Sequence, residues 1–153
     1  MRTREEWEDW YRQSNPWHYD GTLEDEVRTS ALLGRLRHAH FENVLDVGCG
    51  EGRLTHALTA VGTRVRGFDI SAKAIERAQI RYPDIRFEQG DLLDVVRRPD
   101  MLATPFDLVV AGFVVNELGG DIPAMVALIE SLATRLAPGG ALVVLEPALK
   151  TES

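Results

Sequence analysis

Three glycines at alternate positions, Gly48, Gly50 and Gly52, directly follow a short apolar run at residues 43–47. Glycine has no Cβ and readily adopts positive φ, so such a loop can turn tightly and let a ligand approach the backbone. If a helix follows, its free N–H groups and positive dipole end favour a negatively charged ligand. The spacing predicts a ligand-binding loop, with a purely structural turn as the alternative.

Two acidic residues follow the next two apolar runs. Asp69 ends the second run and lies 19 positions after Gly50. A carboxylate there can accept hydrogen bonds from both hydroxyls of a ribose, or it can cap the next helix, a role that Ser71 also fits. Asp91 follows Gly90 and the third run, where it can accept from an adenine amino group or simply form a turn.

These groups can meet only if their elements share one edge of a sheet. The apolar patterns predict five strands, at residues 43–47, 65–69, 85–88, 106–113 and 141–145. They also predict helices at residues 53–60, 71–81 and 122–136, the last closed by Pro138-Gly139-Gly140. Strands alternating with helices predict an α/β fold with a doubly wound, mostly parallel sheet. Ligands of such sheets bind beyond the carboxyl ends of the strands.

The first 42 residues, which we call the N-terminal segment, precede this pattern. They contain a predicted helix that starts after Thr22 and ends near His38. Before it come five large aromatic residues, too many for a freely solvated tail: Trp7, Trp10, Tyr11, Trp17 and Tyr19. We expect residues 7–20 to form a mobile lid over a site in the domain at residues 43–153. The alternative is a segment that packs on the sheet edge.

Composition limits the class of protein. A chain of 153 residues has the length of about one domain. It has a single cysteine and neither a signal peptide nor a membrane-length apolar run, which favours a cytoplasmic protein with no membrane partner. The net charge of −7 argues against broad attraction to nucleic acid, although a local basic patch could still bind RNA. The four histidines have no metal-ligand spacing, and we assign no metal.

Five motifs together resemble those of the class I S-adenosylmethionine-dependent methyltransferases. They are VLDVGCGEG (residues 44–52), GFDIS (67–71), QGDLLD (89–94), FDLVVAGFVVNEL (106–118) and LAPGGALVVLEP (136–147). Their order and distances are typical of that family and cover about two-thirds of the chain. The glycine spacing differs from the G-x-G-x-x-G of nicotinamide-binding proteins. The resemblance therefore implies a Rossmann-like domain that binds S-adenosylmethionine.

The resemblance also implies a role for individual residues. The methionine portion of the cofactor would lie against Gly48, Gly50 and Gly52, with Asp46 facing its amino group. Asp69 would hold the ribose and Asp91 the adenine amino group, with Ile70 and Leu92 beside the adenine ring. Cys49 lies inside the cofactor-binding loop, where packing explains a small residue better than nucleophilic chemistry does.

Residues 113–117 would lie nearest the methyl group in this family. Phe113 opens that stretch, and Asn116 or Glu117 would orient or deprotonate the methyl acceptor. The alternative is that both polar residues only cap the turn after the fourth strand. No NPPY-like tetrapeptide follows that strand, which disfavours methylation of an amide or an adenine nitrogen.

Two functions remain open from the sequence. One is a methyltransferase acting on a small molecule or on RNA. The other is a module that binds S-adenosylmethionine without turnover and stabilises a partner protein. The family usually continues into two further strands, which this chain would lack, leaving the fifth strand at an exposed edge. We therefore expect a truncated form, a second chain that covers this edge, or coverage by the N-terminal segment.

Overall fold

The computed structural model of the chain describes residues 1–17 and 23–146. The strands are β1 (Phe41–Val47), β2 (Gly62–Asp69), β3 (Arg86–Gln89), β4 (Phe106–Gly112) and β5 (Leu136–Leu145). The helices are α1 (Arg4–Tyr11), α2 (Leu23–Leu36), α3 (Arg53–Leu58), α4 (Ala72–Arg81), α5 (Leu92–Arg97) and α6 (Ile122–Ala133), with a 3₁₀ turn at Asn116–Leu118.

The five described strands form one sheet in the order β3-β2-β1-β4-β5. Every neighbouring pair is parallel. The chain winds outward from β1 in one direction and, after β3, crosses to β4 on the other side, so the topology reverses between β1 and β4. This confirms the predicted doubly wound α/β fold and places the ligand crevice at the carboxyl ends of these two strands.

The central strands are buried on both faces. Leu45 and Val47 of β1 pack in a hydrophobic cluster with residues of α5 and α6. Val44 of the same strand packs in a second cluster with Leu58 of α3. These three β1 residues are at most 1% exposed. Helices on both sides of the sheet explain why the sequence of β1 and β4 reads as a continuous apolar run.

Two details differ from the sequence prediction at the fifth strand. Helix α6 ends at Ala133, and Pro138-Gly139-Gly140 lies inside β5 instead of closing the helix. The strand pairing explains how a Pro-Gly-Gly sequence is accommodated: Phe106 pairs with Leu136, but Leu108 pairs with Ala141. The extra residues form an irregularity in β5, which lies at the edge of the described sheet, and proline is tolerated in edge strands and at bulges.

Helix α1 was not predicted, although the sequence contains its start signal. The Thr3 hydroxyl accepts a hydrogen bond from the Glu6 amide, and the Glu6 carboxylate accepts one from the Thr3 amide. This capping box begins the helix at Arg4. The predicted helix after Thr22 is α2, but Thr22 and Tyr19 lie outside the described residues.

Helix α1 packs against α4, on the half of the sheet away from β5, so this helix does not cover the β5 edge. The division into residues 1–42 and 43–153 stays a prediction. None of the described helices is long and apolar enough to cross a membrane.

Candidate functional site

A cavity of about 450 Å³, the main pocket, opens at the carboxyl ends of the strands. Nine of the residues predicted for the site line it: Gly48, Cys49, Gly50, Asp69, Ile70, Asp91, Leu92, Phe113 and Glu117. Asp46 and Gly52 do not line it. The fold therefore brings together residues from the ends of β1, β2, β3 and β4, as the predicted topology requires.

The glycine loop has the backbone conformation that glycine allows. Gly50 has a φ of +52°, and a Cβ added there would lie 2.8 Å from the Tyr11 hydroxyl. Gly52 also has a positive φ, but its added Cβ would meet the Phe87 ring and Ala78 in the core. Packing against α4 and β3 thus requires a glycine at position 52, whereas Gly50 faces the pocket; a cofactor contact at Gly52 stays a prediction.

Asp69 is held in place by two backbone amides. Its Oδ2 accepts a hydrogen bond of 2.8 Å from Gly50, and its Oδ1 accepts one of 2.9 Å from Ser71. Burial raises the pKa of Asp69, while these N–H donors counteract the rise. Ser71 caps α4, since its hydroxyl accepts from the Ala74 amide. The cap role therefore belongs to Ser71, and Asp69 lines the pocket.

Asp91 caps a helix that the sequence prediction missed. It precedes α5, and its Oδ1 accepts a hydrogen bond of 2.9 Å from the Leu93 amide. Its Oδ2 has no partner among the described residues. The carboxylate therefore has both a structural role and a free acceptor at the pocket.

Asp46 lies behind the glycine loop. It is 1% exposed and accepts a hydrogen bond of 2.7 Å from the Thr55 hydroxyl. Burial raises its pKa to about 7, helped by the negative charge of Asp69 and opposed by the Thr55 hydrogen bond. Asp46 lines a second cavity of about 500 Å³, which meets the main pocket at Gly48 and Phe113.

Cys49 is buried within the loop. Burial, with the nearby charges of Asp69 and Asp46, raises the pKa of its thiol well above the usual value. Nucleophilic and metal-binding cysteines need the thiolate. Cys49 contacts the position where a Cβ on Gly67 would lie, at 2.8 Å, which agrees with a packing role.

The turn after β4 borders the pocket on the other side. Phe113 has a φ of +60°, a strained value for a side chain of this size, and its amide donates to the Leu145 carbonyl at 2.7 Å. Such strain is often found at functional sites. Glu117 lines the pocket from the 3₁₀ turn, where the Arg2 guanidinium lies 3.5 Å from its carboxylate. The side chain of Asn116 is outside the described part of the structure.

The aromatic residues of the N-terminal segment form one wall of the pocket. Trp7, Tyr11 and Trp17 line it, and the indole N–H of Trp17 donates to the Tyr11 hydroxyl at 3.0 Å. Trp7 and Trp17 pack with ring centroids 5.9 Å apart. The sequence prediction of a cover over the site agrees with this position. Its mobility remains a prediction.

The carboxylate of Glu8 on α1 links this aromatic wall to the start of α4 by hydrogen bonds. Glu8 accepts backbone hydrogen bonds from Ala72 at 2.6 Å and Lys73 at 3.2 Å, and the Ser71 hydroxyl donates to it at 3.1 Å. It thus caps the N-terminus of α4, where the helix dipole also favours a negative charge. No local pattern predicts this contact, because the residues are 63 or more positions apart.

Arg28 of α2 is another residue that the sequence analysis missed. It lines both cavities, and its guanidinium lies 5.0 Å from the Phe113 ring centroid. It brings a positive charge to the place where the two cavities meet. The sequence pattern of α2 does not predict that Arg28 lies at the site, because the packing of α2 on the domain brings it there.

Comparison with known proteins supports one family. A family model described as a methyltransferase domain matches residues 40–153. Trans-aconitate 2-methyltransferase of Methylobacterium nodulans is 35% identical over 127 residues, which cover 81% of this chain and 46% of that protein. Ubiquinone biosynthesis O-methyltransferase of Thiobacillus denitrificans is 33% identical, covering 65% of this chain and 41% of that protein.

Among solved structures, the N-methyltransferase NodS of Bradyrhizobium japonicum WM9, in complex with S-adenosyl-L-homocysteine, has a TM-score of 0.78. It is 29% identical, and the match covers 94% of this chain and 72% of NodS. The chain spans about half the length of the curated relatives it matches. The family match over three-quarters of its residues, with the shared fold, shows that the chain belongs to the methyltransferase domain family, within the class I S-adenosylmethionine-dependent methyltransferases.

Proposed function

We propose that this chain binds S-adenosylmethionine in the main pocket and transfers its methyl group to a small-molecule acceptor beneath the N-terminal segment. One observation carries the proposal: the glycine loop, Asp69, Asp91 and three aromatic side chains of the N-terminal segment line a single pocket. A structural turn alone would not explain why these distant groups line a common cavity. The residues that line the pocket include most of those that the family motifs imply for the cofactor, which supports this assignment.

The adenosine half of the cofactor fits the groups present. Each carboxylate oxygen of Asp69 accepts one backbone N–H and keeps a lone pair for a ribose hydroxyl. The Asp91 Oδ2 can accept from the adenine amino group, with Ile70 and Leu92 as apolar neighbours. Asp69 is buried and the other three residues are half-buried, and orienting contacts of this kind give specificity as well as affinity.

The methionine half fits the space at the glycine loop. A Cβ on Gly50 would lie 2.8 Å from the Tyr11 hydroxyl, so Tyr11 packs against the loop and would border the methionine half where the N-terminal segment meets the loop. Asp46, beside the junction of the two cavities, can attract the positively charged amino group, and Arg28 can attract the carboxylate. Asp46 and Arg28 both line the second cavity, so it holds an acidic and a basic group for the two ends of a zwitterionic amino acid.

S-adenosylmethionine supplies a methyl group already activated by attachment to a sulfonium. The chain must therefore mainly position the acceptor in line with that methyl group. The strained turn at Phe113 and the aromatic wall border the space in which the acceptor can lie. Glu117 is the carboxylate in position to orient an acceptor or to take its proton.

The names of the curated relatives favour a small-molecule acceptor. One relative is named for trans-aconitate and another for ubiquinone biosynthesis. Neither comparison supports an RNA acceptor, and the net charge of −7 is unfavourable for one.

Calorimetry with S-adenosylmethionine, S-adenosylhomocysteine and NAD tests cofactor binding. The proposal expects the first two to bind and NAD not to bind. Incubation with methyl-labelled S-adenosylmethionine and a pool of small metabolites then tests transfer, with S-adenosylhomocysteine release as the readout. Binding without release would support a module that lacks turnover, and failure of both sulfur ligands to bind would contradict the proposal.

A further inference from the structure

The structure contains a site for a positive charge at the edge of the main pocket. The Arg2 guanidinium carbon lies 4.7 Å from the Trp7 ring centroid and 5.1 Å from that of Trp10. A guanidinium nitrogen of Arg2 lies 3.5 Å from the Glu117 carboxylate. Aromatic faces and a carboxylate are the groups by which proteins recognise cationic nitrogen.

This site is separate from the groups assigned to adenosine. Arg2 and Trp7 belong to the N-terminal segment, and Glu117 belongs to the turn after β4, whereas Asp69 and Asp91 follow β2 and β3. All five residues nevertheless line the same pocket. The charge site therefore comes from other elements than the adenosine groups do, and it is open to a second ligand that enters the same pocket.

The contact that fills the site in the free chain is weak enough to be replaced. The side chains of Arg2 and Glu117 are 40% and 31% exposed, and ion pairs with this access to water contribute little. Resting on the proposed function, we infer that the acceptor is a small molecule with a protonated nitrogen, an amine or a guanidine. It takes the place of Arg2 beside Trp7 and Glu117.

An acidic acceptor fits these surroundings less well. Its carboxylate would lie beside that of Glu117, which is unfavourable at close range. The two arginines of the pocket already have other contacts, Arg2 with Glu117 and Arg28 with the Phe113 ring. An acid would have to draw one of them away from an attractive contact, whereas a cation gains the contacts that Arg2 now makes.

Three probes of similar size but different charge test the inference on the full chain. They are benzylamine, benzyl alcohol and benzoate, each titrated with saturating S-adenosylhomocysteine and followed by tryptophan fluorescence and calorimetry. All three tryptophans lie in the N-terminal segment, so the fluorescence reports on this wall. We expect benzylamine to bind at least tenfold more tightly than either of the other two probes.

Variants locate the binding. Glu117→Gln should remove the preference for benzylamine, and Arg2→Ala should strengthen benzylamine binding several-fold because the internal competitor is gone. Trp7→Leu should weaken benzylamine binding by about tenfold. Glu130→Gln, on the exposed face of α6, is the matched control and should change nothing.

The outcomes separate the two proposals. Tighter binding of benzoate or benzyl alcohol would overturn the inference and indicate an acidic or a neutral acceptor. An unchanged preference for benzylamine in Glu117→Gln, with a native circular dichroism spectrum, would overturn the assignment of the charge site to Glu117. The affinity for S-adenosylhomocysteine is measured in the same samples. If it binds normally while the charge preference is absent, only the inference about the acceptor fails; if it does not bind, the proposed function itself fails.

Discussion

The carboxylate of Asp69, at the end of β2, accepts a hydrogen bond of 2.8 Å from the amide of Gly50 in the glycine loop. The amide of Ser71 donates to the other oxygen, so the carboxylate joins the loop after β1 to the start of α4. Glu8 then caps the same helix from the N-terminal segment. A short series of hydrogen bonds thus connects the glycine loop to helix α1, which carries part of the aromatic wall.

Replacing Asp69 tests its proposed role in adenosine binding. Asp69→Ala should weaken S-adenosylhomocysteine binding by about tenfold or more, since a lost hydrogen bond to a charged group costs roughly 1.5–3 kcal/mol. Calorimetry gives the dissociation constant directly. Asp84→Ala, an exposed carboxylate after α4, is the control. An unchanged dissociation constant in a folded Asp69→Ala protein would refute the ribose assignment.

Two glycine substitutions should have different effects. Gly50→Val should abolish cofactor binding in a protein that remains folded, because its branched side chain would enter the pocket against Tyr11 and disfavour the positive φ. Gly52→Ala should instead lower the free energy of unfolding by about 1–3 kcal/mol, because its Cβ would lie 2.7 Å from a Phe87 ring carbon. Chemical denaturation and calorimetry on both variants make the comparison, and normal affinity in Gly50→Val would show that the loop is only a turn.

The N-terminal segment should contribute to cofactor binding. Removing residues 1–20 should weaken S-adenosylhomocysteine binding while the remaining domain stays folded, because one wall of the pocket is lost. In the full chain, the ligand should change the tryptophan fluorescence. If the truncated protein keeps its affinity and the fluorescence of the full chain is unchanged, the segment only packs on the domain.

A point substitution gives a finer test of the same wall. Glu8→Ala removes the three hydrogen bonds to residues 71–73 and should weaken S-adenosylhomocysteine binding about fivefold. Glu5→Ala, an exposed carboxylate in the first turn of α1, controls for the change in net charge. Equal affinities for the two variants would show that the cap on α4 does not hold the wall in place.

Stability should depend on pH through Asp46. Its pKa is raised to about 7 in the folded chain, whereas an unfolded aspartate titrates near 4. The folded state therefore binds more protons between these values, and its stability falls as the pH rises through this window. The loss amounts to roughly 4 kcal/mol at most, since about three pKa units separate the two states.

Asp46→Asn keeps the size of the side chain and cannot ionise. Its free energy of unfolding, relative to that of the wild type, should increase from pH 5 to pH 8 because only the wild type acquires a buried charge. Urea denaturation across this range measures the difference. Parallel pH profiles for the two proteins would show that Asp46 is ionised throughout.

Local patterns were enough to predict much of the fold and the site. The apolar runs predicted the five strands along the chain, and the expected parallel pairing placed the residues after β1, β2, β3 and β4 at one edge. Asp69, Asp91 and the glycine loop could be chosen because the chemistry of their residue types coincides with strand ends. The fifth strand was predicted less well, since a proline and two glycines normally end an element instead of lying inside one.

The sequence by itself determined the fold class, the family motifs and nine residues that line the pocket. Only the tertiary structure decided that Gly50 faces the pocket while Gly52 packs in the core, because both glycines carry the same local signal. It also brought Glu8 to α4 and Arg2 to Glu117, which are more than 60 and 110 positions apart. Contacts of this kind depend on how helices pack on the sheet, and neither local propensity nor periodicity contains that information.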